Sequence, residues 1–167
     1  YGNYWGQLYR SLDYGDTWTV VLCSDGYMFR DVAFLDSLIF ISTSDSGVHR
    51  SVDYGITWSP SLNGATTNHS TSLAVAGNKL FAACNSEVYV TSDGGANWVN
   101  ASTGLPSPYI ITDLATNGQQ VFATTPVGVY RTDDWGQSWQ LFNIGLAGIS
   151  FSSIAARDSN VLVGSFN

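Results

Sequence analysis

Ser51-Val52-Asp53-Tyr54-Gly55-Ile56-Thr57-Trp58 decides the fold, because the same pattern occurs four times. Written S/T-x-D-x-G-x-x-W, it returns at 11–18, 91–98 and 132–139. The shared residues are Ser11, Asp13, Gly15 and Trp18; Ser51, Asp53, Gly55 and Trp58; Thr91, Asp93, Gly95 and Trp98; Thr132, Asp134, Gly136 and Trp139. The aspartates are spaced by 40, 40 and 41 residues. A fixed period of this length marks repeated supersecondary units. Each residue type has a physical reason to be there. The Asp accepts hydrogen bonds from the backbone N–H groups of the turn it opens. The Gly supplies a positive φ without strain. The Ser or Thr hydroxyl adds a second local partner, and the Trp is an apolar anchor whose indole N–H requires an acceptor.

Outward from each copy, the repeats align into four strand-like runs. The first runs are 30–35, 71–76, 112–117 and 152–157, with Ala33, Ala74, Ala115 and Ala155 in one register. The second are 38–43, 79–84, 120–125 and 160–165, rich in apolar and β-branched residues as buried strands are. The third, 7–11, 47–51, 87–91 and 128–132, alternate with period two. The fourth begin at the tryptophans: 18–22, 58–62, 98–102 and 139–143. Turn pairs such as Asp36-Ser37 and Gly77-Asn78 separate first from second runs. The segment 1–22 carries only third and fourth runs, and 152–167 only first and second.

The motif resembles the Asp-box, or BNR, repeat of sialidases, sortilin-type receptors, xyloglucan-degrading enzymes and photosystem II assembly factors. The resemblance covers nearly the whole chain. It implies that the box is a structural hairpin between the third and fourth strands of a propeller blade, placed away from any active site. The expected fold is an all-β, four-bladed β-propeller in one domain, 1–167. Its blades are 30–62, 71–102, 112–143 and a joint blade from 152–167 plus 1–22, which closes the ring. Propellers of this family usually have six or more blades.

Composition narrows the function classes. Charged residues are 11% of the 167, hydrophobic ones 44%, and the net charge is −7. Six Lys and Arg spread thinly give no basic patch, which argues against nucleic acid. No apolar run approaches the ~20 residues of a membrane-spanning helix. Tyr1 reads as the start of a mature or trimmed product, and a surface rich in Ser, Thr, Asn, Gly and Tyr suits a secreted, extracellular protein. Cys23 and Cys84 fall at different places in different repeats and are read as two separate small core residues or free thiols rather than a disulfide.

No catalytic set, metal ligand set or cofactor site emerges. Resemblance to a sialidase would require an arginine triad and a Tyr–Glu pair. Arg10, Arg50 and Arg131 instead share one register before the motif, and Glu87 is the sole Glu. Asp31 and Asp113 are the best carboxylate pair, expected to face each other across a ring with Ser72 and Ser153 between them. Glycoside hydrolysis needs such a pair, although polar residues at a propeller mouth equally hold water or a cation. His49 and His69 are expected at the surface. Tyr4, Trp5, Tyr27, Arg30, Asp31, Tyr109 and Asp113 outline a candidate ligand face, and Tyr14, Tyr54 and Trp135 an aromatic fringe on the opposite one. Asn68 and Asn100 open N-glycosylation sequons. The expected function is a secreted noncatalytic module that binds protein or glycan and self-associates by stacking or head to tail. The alternative is a carbohydrate-binding or glycoside-hydrolase-like propeller.

Overall fold

The computed structural model describes residues 6–24, 26–65, 68–146 and 150–166, with Phe166 through its backbone only. Among them lie sixteen strands and no helix. β1 (Gly6–Arg10) and β2 (Thr19–Ser24) form a two-stranded sheet. Three antiparallel four-stranded sheets follow. The first holds β3 (Phe29–Leu35), β4 (Leu38–Thr43), β5 (Val48–Ser51) and β6 (Ser59–Pro60). The second holds β7 (Ser72–Ala76), β8 (Lys79–Cys84), β9 (Glu87–Thr91) and β10 (Val99–Asn100). The third holds β11 (Asp113–Thr116), β12 (Val121–Thr125), β13 (Gly128–Thr132) and β14 (Gln140–Leu141). β15 (Ser150–Arg157) and β16 (Asn160–Phe166) form a second two-stranded sheet.

Register is conserved between the sheets. Ala33, Ala74 and Ala115 pair with Phe40, Phe81 and Phe122, which pair in turn with Arg50, Val90 and Arg131. In the three full sheets the fourth strands span two exposed residues each where the sequence suggested five, whereas β2 spans six. One further bond continues each ladder, from the N–H groups of Ser61, Ala101 and Phe142 to the carbonyls of Val48, Val88 and Val129.

The core lies between sheets, face to face. Phe40, Val48, Leu73, Leu80, Ala82, Tyr89 and Trp98 fill the junction of the first and second full sheets. Phe81, Val88, Ile111, Leu114, Val121 and Trp139 fill the next, and Phe122, Val129, Phe151 and Ile154 the last. The in-register alanines explain the geometry: a small inner-strand residue beside each Phe lets the next sheet approach closely. The Phe40 and Trp98 rings meet edge to face, 84° apart in orientation at 6.5 Å.

The expected closing blade is not formed within the chain. β1–β2 and β15–β16 remain separate sheets, and no strand pairing joins them among the described residues. β1 lies beside β3, whereas β15 packs on β11 and β12, so the two half-sheets cap opposite ends of the stack. The same inter-sheet contacts, repeated, carry the ends apart and leave their apolar faces open. Leu162 stands where Phe40 and Phe81 are fully buried, yet it is 74% exposed. Trp18 is 62% exposed where Trp98 and Trp139 are 4%.

This asymmetry is measurable. Phe81→Ala should cost about 3–5 kcal/mol in urea unfolding. Leu162→Ala, at dilution, should stay within about 0.5 kcal/mol. Equal losses would contradict the open end.

Candidate functional site

The four recurrent turns share one hydrogen-bond pattern. Ser11, Ser51, Thr91 and Thr132 accept the N–H of Gly15, Gly55, Gly95 and Gly136 at 2.7–2.9 Å. The same hydroxyls donate to Oδ1 of Asp13, Asp53, Asp93 and Asp134 at 2.7–2.8 Å. Each Asp then accepts the N–H of the residue four places on: Thr17, Thr57, Asn97 or Ser138. The side chain of that residue donates to Oδ2. This partner just before the Trp is a motif position that sequence reasoning missed; the signal was Thr, Thr, Asn and Ser in one register. The residue after each Asp is left-handed as well as the Gly: Tyr14, Tyr54, Gly94 and Trp135 have φ between 58 and 68°.

These bonds stabilise the charged carboxylates. The Thr17 hydroxyl, Thr57 hydroxyl and Ser138 hydroxyl hold Asp13, Asp53 and Asp134 down to about 2. Asn97, through its N–H and then its amide, holds Asp93 lower still. The indoles of Trp18 and Trp58 donate to Gly15 and Gly55, and that of Trp139 to Ala101 O at 2.6 Å. The buried Trp98 Nε1 has no partner among the described residues.

The turns also tie sheets together. Arg10 and Arg50 donate to the carbonyls of Tyr54 and Gly94, equivalent positions in the next sheet, at 2.7 and 2.6 Å. Arg131 has no next turn beside it. It pairs with Asp133 at 2.7 Å and lies 3.8 Å over the Phe142 ring.

Asp31 and Asp113 are brought together, and not across an open ring. The single Ser72 hydroxyl lies between them, 3.2 Å from Asp31 Oδ2 and 2.8 Å from Asp113 Oδ1, and can donate to either. Asp31 Oδ2 also accepts the N–H of Leu73, and Asp113 Oδ2 that of Ile154, at 2.8 and 2.9 Å. Ser72 Oγ accepts the N–H of Leu114 at 3.2 Å. The three side chains thus receive backbone donors from the sheet that follows.

Of the remaining ligand-face residues, Tyr4 and Trp5 lie outside the described residues. Tyr27 stacks on His49 at 5.9 Å and meets Phe29 edge-on. Arg30 and Tyr109 are exposed. The expectation of two surface histidines is corrected: His49 is buried beneath Tyr27, with its pKa lowered by burial, and hydrogen-bonds Ser46. His69 is half-buried against Ser44 O. Cys23 is exposed and Cys84 buried, neither bridged; burial pushes the Cys84 thiol up to about 12. Asn68 and Asn100 are exposed, and the Asn100 amide donates to Glu87. No group of three metal-ligating side chains is found among the described residues, and these contain no helix long and apolar enough to cross a membrane. Two grooves lie at the stack ends. One is lined by Tyr9, Trp18, Phe34, Tyr54 and Trp58, the other by Phe122, Val129, Arg131, Phe142 and Val163.

Comparison with solved structures places this geometry. The GH74 xyloglucanase from Xanthomonas campestris matches 94% of the chain and 32% of its own, at 16% identity and TM-score 0.75. YCF48 bound to D1 peptide matches 89% and 52%, at 19% identity and TM-score 0.69. An extracellular domain from B. thetaiotaomicron matches 96% and 21%, at 15% identity and TM-score 0.71. These neighbours are β-propellers. The chain therefore has a propeller-like repeat fold, and it spans about half or less of each neighbour's length. No family model matches, and no curated protein does either.

Two measurements follow. The aspartates ionise near 2 in the folded chain and near ~3.9 when unfolded. Their stabilisation is complete above the unfolded value and lost as pH falls towards the folded one. The urea midpoint should stay level from pH 7 to 5, as far as these aspartates govern it, and drop between about pH 4 and 2, with Asp53→Asn showing a shallower drop. Thr91→Val leaves the buried Gly95 N–H unpaired and should cost about 1–3 kcal/mol.

Proposed function

We propose that this chain is a secreted, noncatalytic Asp-box propeller module that works through its surfaces and associates with itself. One observation carries the reading. The carboxylates best placed for chemistry, Asp31 and Asp113, are occupied by Ser72 and by the backbone of adjoining sheets. The large exposed apolar residues include Trp18, Phe34 and Leu162 at the two ends. Apolar surface of this kind, contiguous and rimmed by polar groups, marks interaction sites. A thin charge opposes self-contact only weakly. Secretion is supported by the composition and by likeness to an extracellular domain. Asn68 and Asn100 are exposed enough to carry glycans.

A second reading has its own support. The groove of Tyr9, Trp18, Tyr54 and Trp58, beside Arg10, offers aromatic faces on which a sugar ring could stack. The xyloglucanase neighbour supports it only through fold.

Purified protein should show a mass that rises with concentration in sedimentation, should not cleave xyloglucan or sialosides, and should not be retained on polysaccharide resins. Turnover that disappears in Asp31→Asn would replace the proposal with the enzymatic reading. Retention abolished by Trp18→Ala in a monomeric protein would replace it with the sugar-binding one.

A further inference from the structure

Each full sheet hands the chain on to the next inner strand through the same tight turn. The turns span 62–65, 102–105 and 143–146. They are closed by the N–H groups of Ala65, Leu105 and Leu146, which donate to the carbonyls of Leu62, Ser102 and Asn143. Their third residues are Gly64, Gly104 and Gly145, with φ of 98, 94 and 86°. Their second residues are Asn63, Thr103 and Ile144. Only the first turn therefore places a carboxamide directly before the glycine. We propose that Asn63 is a site of spontaneous deamidation, with water as the co-reactant, and that its modification loosens the junction between the first and second full sheets.

The step balances between the chain and solvent. The Gly64 nitrogen attacks Cγ of Asn63. Nδ2 leaves as ammonia, taking the proton that the Gly64 nitrogen gives up, and a cyclic succinimide remains. Water opens the ring at either carbonyl, giving an aspartate or an isoaspartate at position 63. A side chain on the attacking residue would hinder the approach, and glycine has none. Packing keeps glycine there. A Cβ on Gly64 would come within 2.8 Å of Trp98 O, and one on Gly104 within 2.4 Å of Trp139 O. The close approach of the next sheet thus leaves the attacking nitrogen unhindered.

Local bonding separates Asn63 from the other Asn-Gly pair, Asn117-Gly118. Asn63 and Gly64 are both exposed, and among the described residues the Asn63 amide makes one long bond, 3.3 Å to Ala96 O. Asn117 is half-buried and held on both sides. Its Oδ1 accepts the N–H groups of Gln119 and Gln120 at 3.1 and 2.8 Å. Its Nδ2 donates to Gln120 Oε1 and Asp158 O at 3.1 and 2.9 Å. Those bonds must break before Cγ can turn towards the Gly118 nitrogen, so Asn63 should react at least about 10-fold faster.

The change reaches the core through the main chain. Asn63 O accepts the N–H of Trp98 at 3.1 Å, as Thr103 O accepts that of Trp139 at 2.8 Å. Trp98 is buried edge-on against Phe40. An aspartate at position 63 loses only the donor to Ala96 O. An isoaspartate routes the main chain through Cγ with an extra methylene. The carbonyl that held Trp98 then leaves the turn as a free carboxylate.

The intact chain is aged at mildly alkaline pH, in buffer and in urea, and followed by peptide mass spectrometry. In buffer, position 63 should convert from amide to carboxyl, with isoaspartate detected by enzymatic methylation, while Asn117 lags by at least about 10-fold. In urea the two sites should react at similar rates. Retention of the Asn63 amide, or an Asn117 that keeps pace with it in buffer, would overturn the site. An equal lag in urea would overturn the role of the fold in choosing it. The modified chain carries an added negative charge and is separated by ion exchange, with Asn63→Asp as the aspartate reference. The isoaspartate form should unfold at lower urea than both Asn63→Asp and the parent. Equal midpoints for all three would overturn the link to Trp98.

Discussion

At the start of β7, β11 and β15 a backbone N–H meets an acceptor from the preceding sheet, although that of Leu114 is also within 2.9 Å of Asp113 Oδ1 in its own strand. Asp31 serves Leu73, Ser72 serves Leu114 and Asp113 serves Ile154. A buried donor without a partner costs about 1–3 kcal/mol, so each bond fixes the position of one sheet against the next. Everything outward depends on that placement. The alanines allow the sheets to close up, the phenylalanines fill the space beyond, and the tryptophans cover the far side.

The outer ends are held differently. There the recurrent turn is the acceptor: its carbonyls receive Arg10 and Arg50 from the sheet before it, while Ser61 Oγ donates to Gly95 O. Gly95 is consequently crowded, since a Cβ would come within 2.7 Å of Phe40 Cε1. The glycine thus serves two purposes, a left-handed backbone and close approach of the neighbouring sheet. Polar groups at both rims and hydrocarbon between them make each junction specific without a buried charge pair.

Much of this was legible in the residues. Period, motif and the alternation of strand runs located the sheets, because each depends on local chemistry or on one repeated face. The alanine register was visible for the same reason, whereas the phenylalanines that pair with it were found only in the structure. Closure was not legible. Whether two half-sheets meet depends on small rotations accumulated over several junctions, and no single residue encodes that sum. His49 was misjudged because its burial comes from Tyr27, 22 residues away, and not from its own strand pattern. The Asp31–Ser72–Asp113 chain was seen as a set but assigned the wrong geometry, since sequence shows equivalence between repeats without showing which neighbours touch.

Among the described strands, the main contacts of each sheet are with the one before and the one after. Energy in such an array is a sum over units and junctions. Duplicating one unit of about 40 residues therefore adds a junction and disturbs none. The growing array presents the same two end surfaces at every length. A protein of this kind can be lengthened or shortened in whole steps, one unit and one junction at a time.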